Sequence, residues 1–458
     1  MRLSDAELLA TVEEILGGPD AERRLTGLLE EIQPFDLAET LSRVPEAHAL
    51  RVLAVLEPSA AAETLEYLEY TDQYRLLHHM DQDAARPILD QMSSDNVADL
   101  ILALHPRQAE LLLKLMPPSS VATIRSLVQY PENTAGGRMT VGYISVRQQM
   151  TAEQVLAHIR KVGPEADTIS YVYVVDSAGR LTGVVSLREI IMAPPKEWVS
   201  EFMNTSVVSV QATLDQEAVA QIVSNYDFVA VPVVGPDNRL LGVITVDDVI
   251  DVLQEEASED VYRLGATDVP EDVAGRSFLQ QVWGLAKPRL PWLVSLLFLE
   301  MGSSFIVGAF SNLVTPTVAA MLAMFTVVMS GETGNAATQS LAVVVRGLAT
   351  GEIQDRDMPR VVLREALVGV VVGLIVGTTL MLTGWLWQHS IWFGLAVGLA
   401  LAANLMIANT LGGLFPVIIQ RMGIDPAVAS GPFITTLTDN TSVFIYYSIA
   451  ALVLRNIG

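Results

Sequence analysis

The sequence predicts a multidomain integral membrane protein: an all-α superhelical N-terminal domain, an α/β repeat pair, and an α-helical transmembrane domain with five spans. Three observations predict it. Long uncharged apolar runs are missing before about residue 290 and make up almost everything after it. A strand-turn-strand-helix unit occurs twice between residues 139 and 263, at a constant offset of 59 residues. Short leucine-rich segments broken by turn residues fill 20–130. At 458 residues, 51% hydrophobic and 17% charged, the chain is too long for one compact domain and too apolar for an ordinary soluble one. The expected divisions are 1–135 for the helical N-terminal domain, 136–262 for the repeat pair, 263–288 for a connecting helical region and 289–458 for the transmembrane domain.

The first residues, from Met1 to Ala10, alternate acids and leucines and lack the basic stretch, apolar core and small-residue cleavage site of a secretory signal. The first block is therefore expected in the cytoplasm. Further on, Glu57-Pro58, Ser93-Ser94-Asp95, His105-Pro106 and Pro117-Pro118 interrupt the leucine-rich stretches about every dozen residues. Such spacing predicts short helices that bury their apolar faces on one another as a superhelix and present a long face to a partner.

In the repeat, Tyr173-Val174-Val175-Asp176-Ser177-Ala178-Gly179-Arg180-Leu181-Thr182-Gly183-Val184-Val185-Ser186 aligns with Pro232-Val233-Val234-Gly235-Pro236-Asp237-Asn238-Arg239-Leu240-Leu241-Gly242-Val243-Ile244-Thr245. Upstream, expected helices at 151–162 and 215–225 pair in the same way. The unit resembles a tandem pair of CBS (cystathionine-β-synthase) motifs, which implies a regulatory module that binds adenine nucleotides or ions and is not itself catalytic. Residues 247–272 then hold ten acids against the single base Arg263. On a helix over 248–259, Asp248, Asp251, Glu255 and Glu259 share one stripe. Unneutralised, that stripe repels any other acidic surface; divalent ions bridging two such surfaces turn repulsion into adhesion.

Apolar length predicts spans at 290–310, 317–345, 366–385, 391–419 and 427–454, each near the ~20 residues a bilayer crossing needs. The links 311–316 and 386–390 carry no Lys or Arg, whereas 346–365 has four Arg, 420–425 has Arg421, and Lys287 and Arg289 precede the first span. Positive charge thus falls on alternate sides, placing the N-terminus inside and the C-terminus outside. Within these spans Glu300, Glu332 and Asp439 are the only carboxylates, and a charge at that depth costs several kcal/mol unless it meets water, a partner or an ion. Asp439 is expected about 18 Å deep, near the midplane. Small and polar residues surround it at Thr435-Thr436-Leu437-Thr438-Asp439-Asn440-Thr441-Ser442 and recur in the second span at Ser330-Gly331-Glu332-Thr333-Gly334-Asn335-Ala336-Ala337-Thr338-Gln339-Ser340. Such oxygen-only surroundings suit Mg²⁺, which can be gripped through its water shell.

Other chemistries are disfavoured. A formal net charge of -24 repels nucleic acid and anionic lipid surfaces, leaving cations as the natural complement. The absence of cysteine removes disulfides, thiolate metal sites and cysteine nucleophiles. No phosphate-binding Gly-x-x-x-x-Gly-Lys loop, zinc-protease helix motif or nucleophile elbow occurs, so no enzyme is expected.

The chain resembles the MgtE family of magnesium transporters over almost its whole length. The carrying motifs are Tyr130-Pro131-Glu132-Asn133-Thr134-Ala135-Gly136-Gly137-Arg138-Met139-Thr140, the CBS pair, Gly334-Asn335 with Gln339-Ser340 and Val345-Arg346-Gly347-Leu348-Ala349, and Asp425-Pro426-Ala427 with Thr436-Leu437-Thr438-Asp439-Asn440-Thr441. The resemblance implies a homodimer in a prokaryotic inner membrane with a pore at the subunit interface, formed mainly by the second and fifth spans. It implies a hydrated ion held by Asp439, with Asn335, Thr435, Glu332 and Thr338 beside it. Mg²⁺ as regulatory ligand is implied at Glu63, Asp95, Asp99, Gly137, Asp215, Glu217, Asp227, Asp248, Asp251, Glu256 and Glu259, where it holds the pore shut. Adenine nucleotide (ATP) is implied near Tyr171, Arg188 and Phe228. Where the family carries glycines, this chain has Thr333 and Ala337 in the second-span motif and Ser442 after Asp439, so Co²⁺ or Mn²⁺ stands as an alternative cargo. A membrane-anchored CBS sensor acting through a partner is the alternative of another class.

Overall fold

The structure, a computed structural model, describes residues 11–12, 14–15, 25, 28–29, 32–163, 166–267, 277–310, 315–354 and 356–454. It divides into two compact units, Met1–Leu253 and Gln254–Gly458. Met1 to Ala10 and the acids Asp268, Glu271 and Asp272 lie outside the described residues.

From residue 34 the first unit runs through helices α1–α8: Pro34–Leu41, Glu46–Leu53, Pro58–Glu66, Tyr70–His79, Gln82–Gln91, Ser94–Ala103, Pro106–Leu113 and Pro118–Leu127. Four open on a proline, whose fixed φ suits a first turn and whose missing N–H is an orphan there anyway. The Pro58, Pro106 and Pro118 turn signals are thus helix starts. α1 packs on α3, α2 on α4, α3 on α5, α4 on α6 and α6 on α8, the alternation of a superhelix. Leu41, Leu53, Leu65, Leu76, Leu89 and Leu100 are buried between the layers.

Two three-stranded sheets follow. β1 (Ile144–Val146) pairs parallel with β2 (Tyr171–Val175), which pairs antiparallel with β3 (Leu181–Ser186). β4 (Val210–Gln211), β5 (Ala230–Val234) and β6 (Leu240–Thr245) repeat this order. The strands of the two hairpins coincide at the 59-residue offset, and both carry a register shift at the same place, between Val174 and Val175 and between Val233 and Val234. The crossover helices α9 (Ala152–Val162) and α12 (Gln216–Tyr226) start on the N-caps Thr151 and Asp215. α10 (Leu187–Met192) and α13 (Val246–Leu264) close each repeat, with the short α11 (Val199–Phe202) between them. The hairpins exchange hydrogen bonds: Leu181 N donates to Asn238 O (2.9 Å) and Leu240 N to Gly179 O (3.1 Å), which pairs the repeats about their turns.

The second unit contains α14 (Phe278–Ala286) and five helices long and apolar enough to cross a membrane: α15 (Leu290–Phe310), α16 (Pro316–Ala349), α17 (Met358–Gln388), α18 (Ile391–Arg421) and α19 (Gly431–Leu454). Three expectations are corrected. The second, third and fourth helices outrun their apolar stretches because helical hydrogen bonding continues wherever polar ends find water or a partner. Glu365 is therefore no link residue but a further carboxylate inside α17, 5% exposed. It is satisfied by Ser340 Oγ (3.0 Å) and by Arg364 Nη2 (3.2 Å). The fifth span is not continuous from 427: Pro426–Val428 is a 3₁₀ turn and the helix begins at Gly431, so Asp439 lies eight residues in, about 12 Å.

α17 and α18 pack through glycines. On α17, Gly369, Gly373 and Gly377 are buried while Leu367, Val371, Leu374 and Ile375 face outward. A Cβ on Gly373 would lie 2.6 Å from Ala402 O, and one on Gly377 2.7 Å from Gly398 O. Gly373→Leu is expected to destabilise the protein by about 1–3 kcal/mol or more through overpacking. Val371→Leu on the exposed face should leave thermal unfolding in detergent unchanged.

Candidate functional site

The membrane-spanning unit puts its polar residues into two environments. Asp439 on α19 is half-buried, and its Oδ1 is shut from solvent with no hydrogen-bond partner. Its neighbours are otherwise engaged. Asn440 Nδ2 donates to Leu299 O (3.1 Å) and its Oδ1 accepts from Ser303 Oγ (3.1 Å), tying α19 to α15. Ser442 Oγ accepts from Asn404 Nδ2 (2.9 Å) and Thr333 Oγ1 (3.3 Å), tying α19 to α18 and α16. The hydroxyls of Thr436, Thr438 and Thr441 donate to carbonyls of their own helix. Asp439 Oδ1 thus has no bond to the bundle, on a helix held from three sides.

α16 approaches α19 at Gly334, where a Cβ would lie 2.9 Å from Thr435 Cγ2. One residue on, Asn335 is exposed, and Glu332 and Gln339 share that exposed side of α16 with it. Thr338 Oγ1 donates to Gly334 O and Asn335 O, both at 3.0 Å, which leaves only its oxygen lone pairs to offer. Glu300 on α15 is exposed, on the turn whose Leu299 O accepts from Asn440.

The first unit holds an acidic cleft of about 600 Å³ lined by Glu63, Glu66, Asp90, Asp95, Asp167, Asp247 and Asp248, with no basic side chain among its described lining. Asp95 is 9% exposed and its Oδ1 has no partner. Burial pushes its carboxyl well above the ordinary carboxylate range, and the charges of Asp248 and Asp167 push further. Burial also raises Asp248, to about 6, against hydrogen bonds from Thr245. Asp167 is raised by burial too, although Thr140 Oγ1 donates to it. Burial raises Glu66 against the hydrogen bond from Ser93 N (2.7 Å).

Of the acids expected to hold a regulatory ion, Glu63, Asp95 and Asp248 meet in this cleft. Asp99, on α6, and the exposed Asp251, on α13, do not line it. Gly137 and Asp215 lie elsewhere, on segments joined by Ala135 N to Leu214 O (2.7 Å) and Gln216 N to Asn133 O (3.0 Å). Asp215 Oδ1 caps α12 by accepting from Glu217 N, and Asp227 ends that helix at φ 53°. Glu256 and Glu259 fall in the second unit. There Arg263 pairs with both Glu259 and Asp425. Burial, with the charges of Asp425 and Glu256, raises the nearby Asp260 to about 6. Glu66, Asp90 and Asp167 are cleft residues the sequence reading missed; Asp167 reaches Thr140 across 27 residues, and no local pattern signals that. Among the described residues no three acidic or histidine side chains form a preassembled metal site. Tyr171 and Phe228 line a narrow cavity of about 60 Å³ with Tyr173, Asn204 and Pro232; Arg188 does not line it.

The fold defines a multi-pass membrane protein that carries a helical domain and a CBS pair outside its spans. Family models for the MgtE intracellular N domain match residues 32–133, for the CBS domain 136–196 and 199–255, and for MgtE, described as a divalent cation transporter, 326–449. The magnesium transporter MgtE of Thermus thermophilus is 38% identical over 98% of this chain and 99% of its own. That of Enterococcus faecalis is 42% identical over 72% of each. A crystal structure of the cytosolic domain of the Mg²⁺ channel MgtE in complex with ATP covers 53% of this chain and 99% of its own, at 41% identity and a TM-score of 0.51. The chain belongs to the MgtE family of divalent cation transporters.

Proposed function

We propose that this chain is a magnesium channel or transporter: hydrated Mg²⁺ moves inward through a pore between two copies, lined by α16 and α19, and Mg²⁺ bound by the extramembrane acids closes it. The observation that carries the reading is the buried Oδ1 of Asp439, a carboxylate oxygen without a hydrogen-bond partner inside a spanning helix. The exposed polar side of α16, Glu332, Asn335 and Gln339, supports it, since bare polar groups on a spanning helix call for water or a second copy. Relatives named as magnesium transporters support the ion. With the N-terminus in the cytoplasm and the C-terminus outside a prokaryotic inner membrane, the potential drives a divalent ion inward by about 4.6 kcal/mol per 100 mV. The parts we assign are the N domain 1–135, the CBS pair 136–262, the connecting region 263–288 and the pore 289–458.

For regulation, the acidic cleft suits a hard divalent cation: its donors are oxygens, no base neutralises them, and a buried Asp95 oxygen is unclaimed. Glu63, Asp95 and Asp248 would hold the ion there, largely through its own waters. Once bound it removes the repulsion among these carboxylates. A secondary set at Asp99, Gly137, Asp215, Glu217, Asp227, Asp251, Glu256 and Glu259 belongs to the same reading. Adenine nucleotide would stack on Tyr171 and Phe228. The present cavity of about 60 Å³ must open for it, since ligand clefts run to ~300–1,000 Å³.

Fluorescent-indicator flux in proteoliposomes, with excess Co²⁺ or Mn²⁺ as competitor, tests the cargo. Mg²⁺ uptake is expected to depend on protein and on an inside-negative potential. Glu332→Ala is expected to weaken inhibition by Mn²⁺ more than it weakens Mg²⁺ uptake, because a carboxylate favours the ion that sheds water more readily. Uptake of another divalent ion that excess Mg²⁺ leaves untouched retires the magnesium assignment.

A further inference from the structure

Toward the Phe310 end of α15 from Glu300, the membrane-spanning unit holds a second cavity, of about 610 Å³, lined by Glu300, Ser303, Ser304, Thr326, Ser330 and Gly331 together with three valines. Among the described residues no basic side chain pairs with Glu300, which lies ten residues into α15, about 15 Å from its start. A carboxylate at that depth is costly against hydrocarbon and stable against water or a cation. The turn that carries it is fixed. Leu299 O and Ser303 Oγ both bond to Asn440, the residue after Asp439, and Gly302 lets the helices close, since a Cβ there would lie 2.4 Å from Asn440 Oδ1. Glu300 is thereby held on the turn that bonds to the residue after Asp439. Space is adequate: at a liquid share of about 30 Å³ per water, an ion with six waters needs roughly 200 Å³.

Building on the transport reading, we propose that Glu300 and this serine-lined cavity form a second station for a hydrated divalent cation, next to Asp439 on the Phe310 side. The carboxylate supplies the charge, and the hydroxyls of Ser303, Ser304 and Ser330 accept from the ion's waters or bond to them. Two neighbouring stations let an arriving ion displace the one ahead by repulsion, so that tight holding and fast release coexist.

The chain contains no cysteine, so Ser304→Cys is a clean reporter in the full-length protein reconstituted in vesicles. A cationic, membrane-impermeant thiol reagent is expected to modify it, Mg²⁺ to slow the reaction, and Glu300→Gln to raise the Mg²⁺ concentration needed for protection about tenfold, the loss of one charge partner. Glu300→Asp in the same background should need close to the parent's concentration. An introduced thiol that resists the reagent means a dry cavity and overturns the proposal, as does modification that Mg²⁺ leaves unchanged. Protection equal in parent and Glu300→Gln also overturns it, because closure driven from outside the spans protects both alike. Mg²⁺ flux in the same vesicles judges the transport reading separately: absent flux retires that reading while the thiol result still decides the station.

Discussion

Asp439→Ala is expected to bring Mg²⁺ uptake by reconstituted protein down to that of protein-free vesicles, a loss of at least about 100-fold. A divalent cation about 5 Å from one carboxylate gains about 7 kcal/mol at an effective dielectric of about 20. Even if desolvation cancels half, what remains is worth more than 100-fold in occupancy. Removing Asp439 should leave the helix in place, because its anchors are Asn440, Ser442 and Tyr446, the last through its hydroxyl to Leu322 O (3.1 Å), and none of these bonds involves Asp439. Asp439→Asn keeps the shape and removes the charge. Uptake in that variant should fall nearly as far, which separates electrostatics from packing. Retention of half the parent's uptake in either variant would show that the ion does not pass this carboxylate.

The second large effect is on stability. In EDTA, the first unfolding transition of the full-length protein in detergent should fall by about 5–10 °C as pH rises from 4.5 to 7.5. Asp95, Asp167 and Asp248 have folded-state pKa values raised by burial, with Asp248 at about 6. A raised carboxylate binds its proton more tightly in the folded state. Its contribution is therefore fully present below the unfolded pKa near 4 and is lost as pH climbs through the folded value. A rise of about two units corresponds to about 3 kcal/mol, and each kcal/mol moves a domain of this size by about 2–4 °C. Millimolar Mg²⁺ should remove most of the fall by neutralising the same carboxylates. Asp95→Asn should raise the transition at pH 7.5 in EDTA and weaken the response to Mg²⁺. A transition that rises with pH in EDTA, or an Asp95→Asn protein with the parent's full pH response, contradicts a cleft of repelling acids.

Much of the architecture was legible because its signals are local. A short apolar, β-branched run closed by a tight turn marks a strand, so the 59-residue repeat appears in the chain as plainly as in the two hairpins. Pro58, Pro106 and Pro118 start helices because proline fixes φ in its own residue. Hydrocarbon thickness sets span length, so five spans could be counted, though not their ends. Glu365 shows the limit: it looks like a link residue next to Arg364, and the approach of Ser340 from another helix, which joins Arg364 in satisfying its buried carboxylate, leaves no local mark in the sequence.

By itself, the chain determined the order of its parts, the strand-turn-strand repeat, the five apolar spans, and that its one deep carboxylate in the last span needed an explanation. The tertiary structure alone decided that Asn440 and Ser442 are spent on neighbouring helices while Asp439 is not, and that Asp167 joins Asp95 and Asp248 in one cleft. The division has a physical cause. Periodicity, turn chemistry and hydrophobic length act between residues a few positions apart, whereas a carboxylate's partner, or its lack of one, depends on which distant helix packs against it.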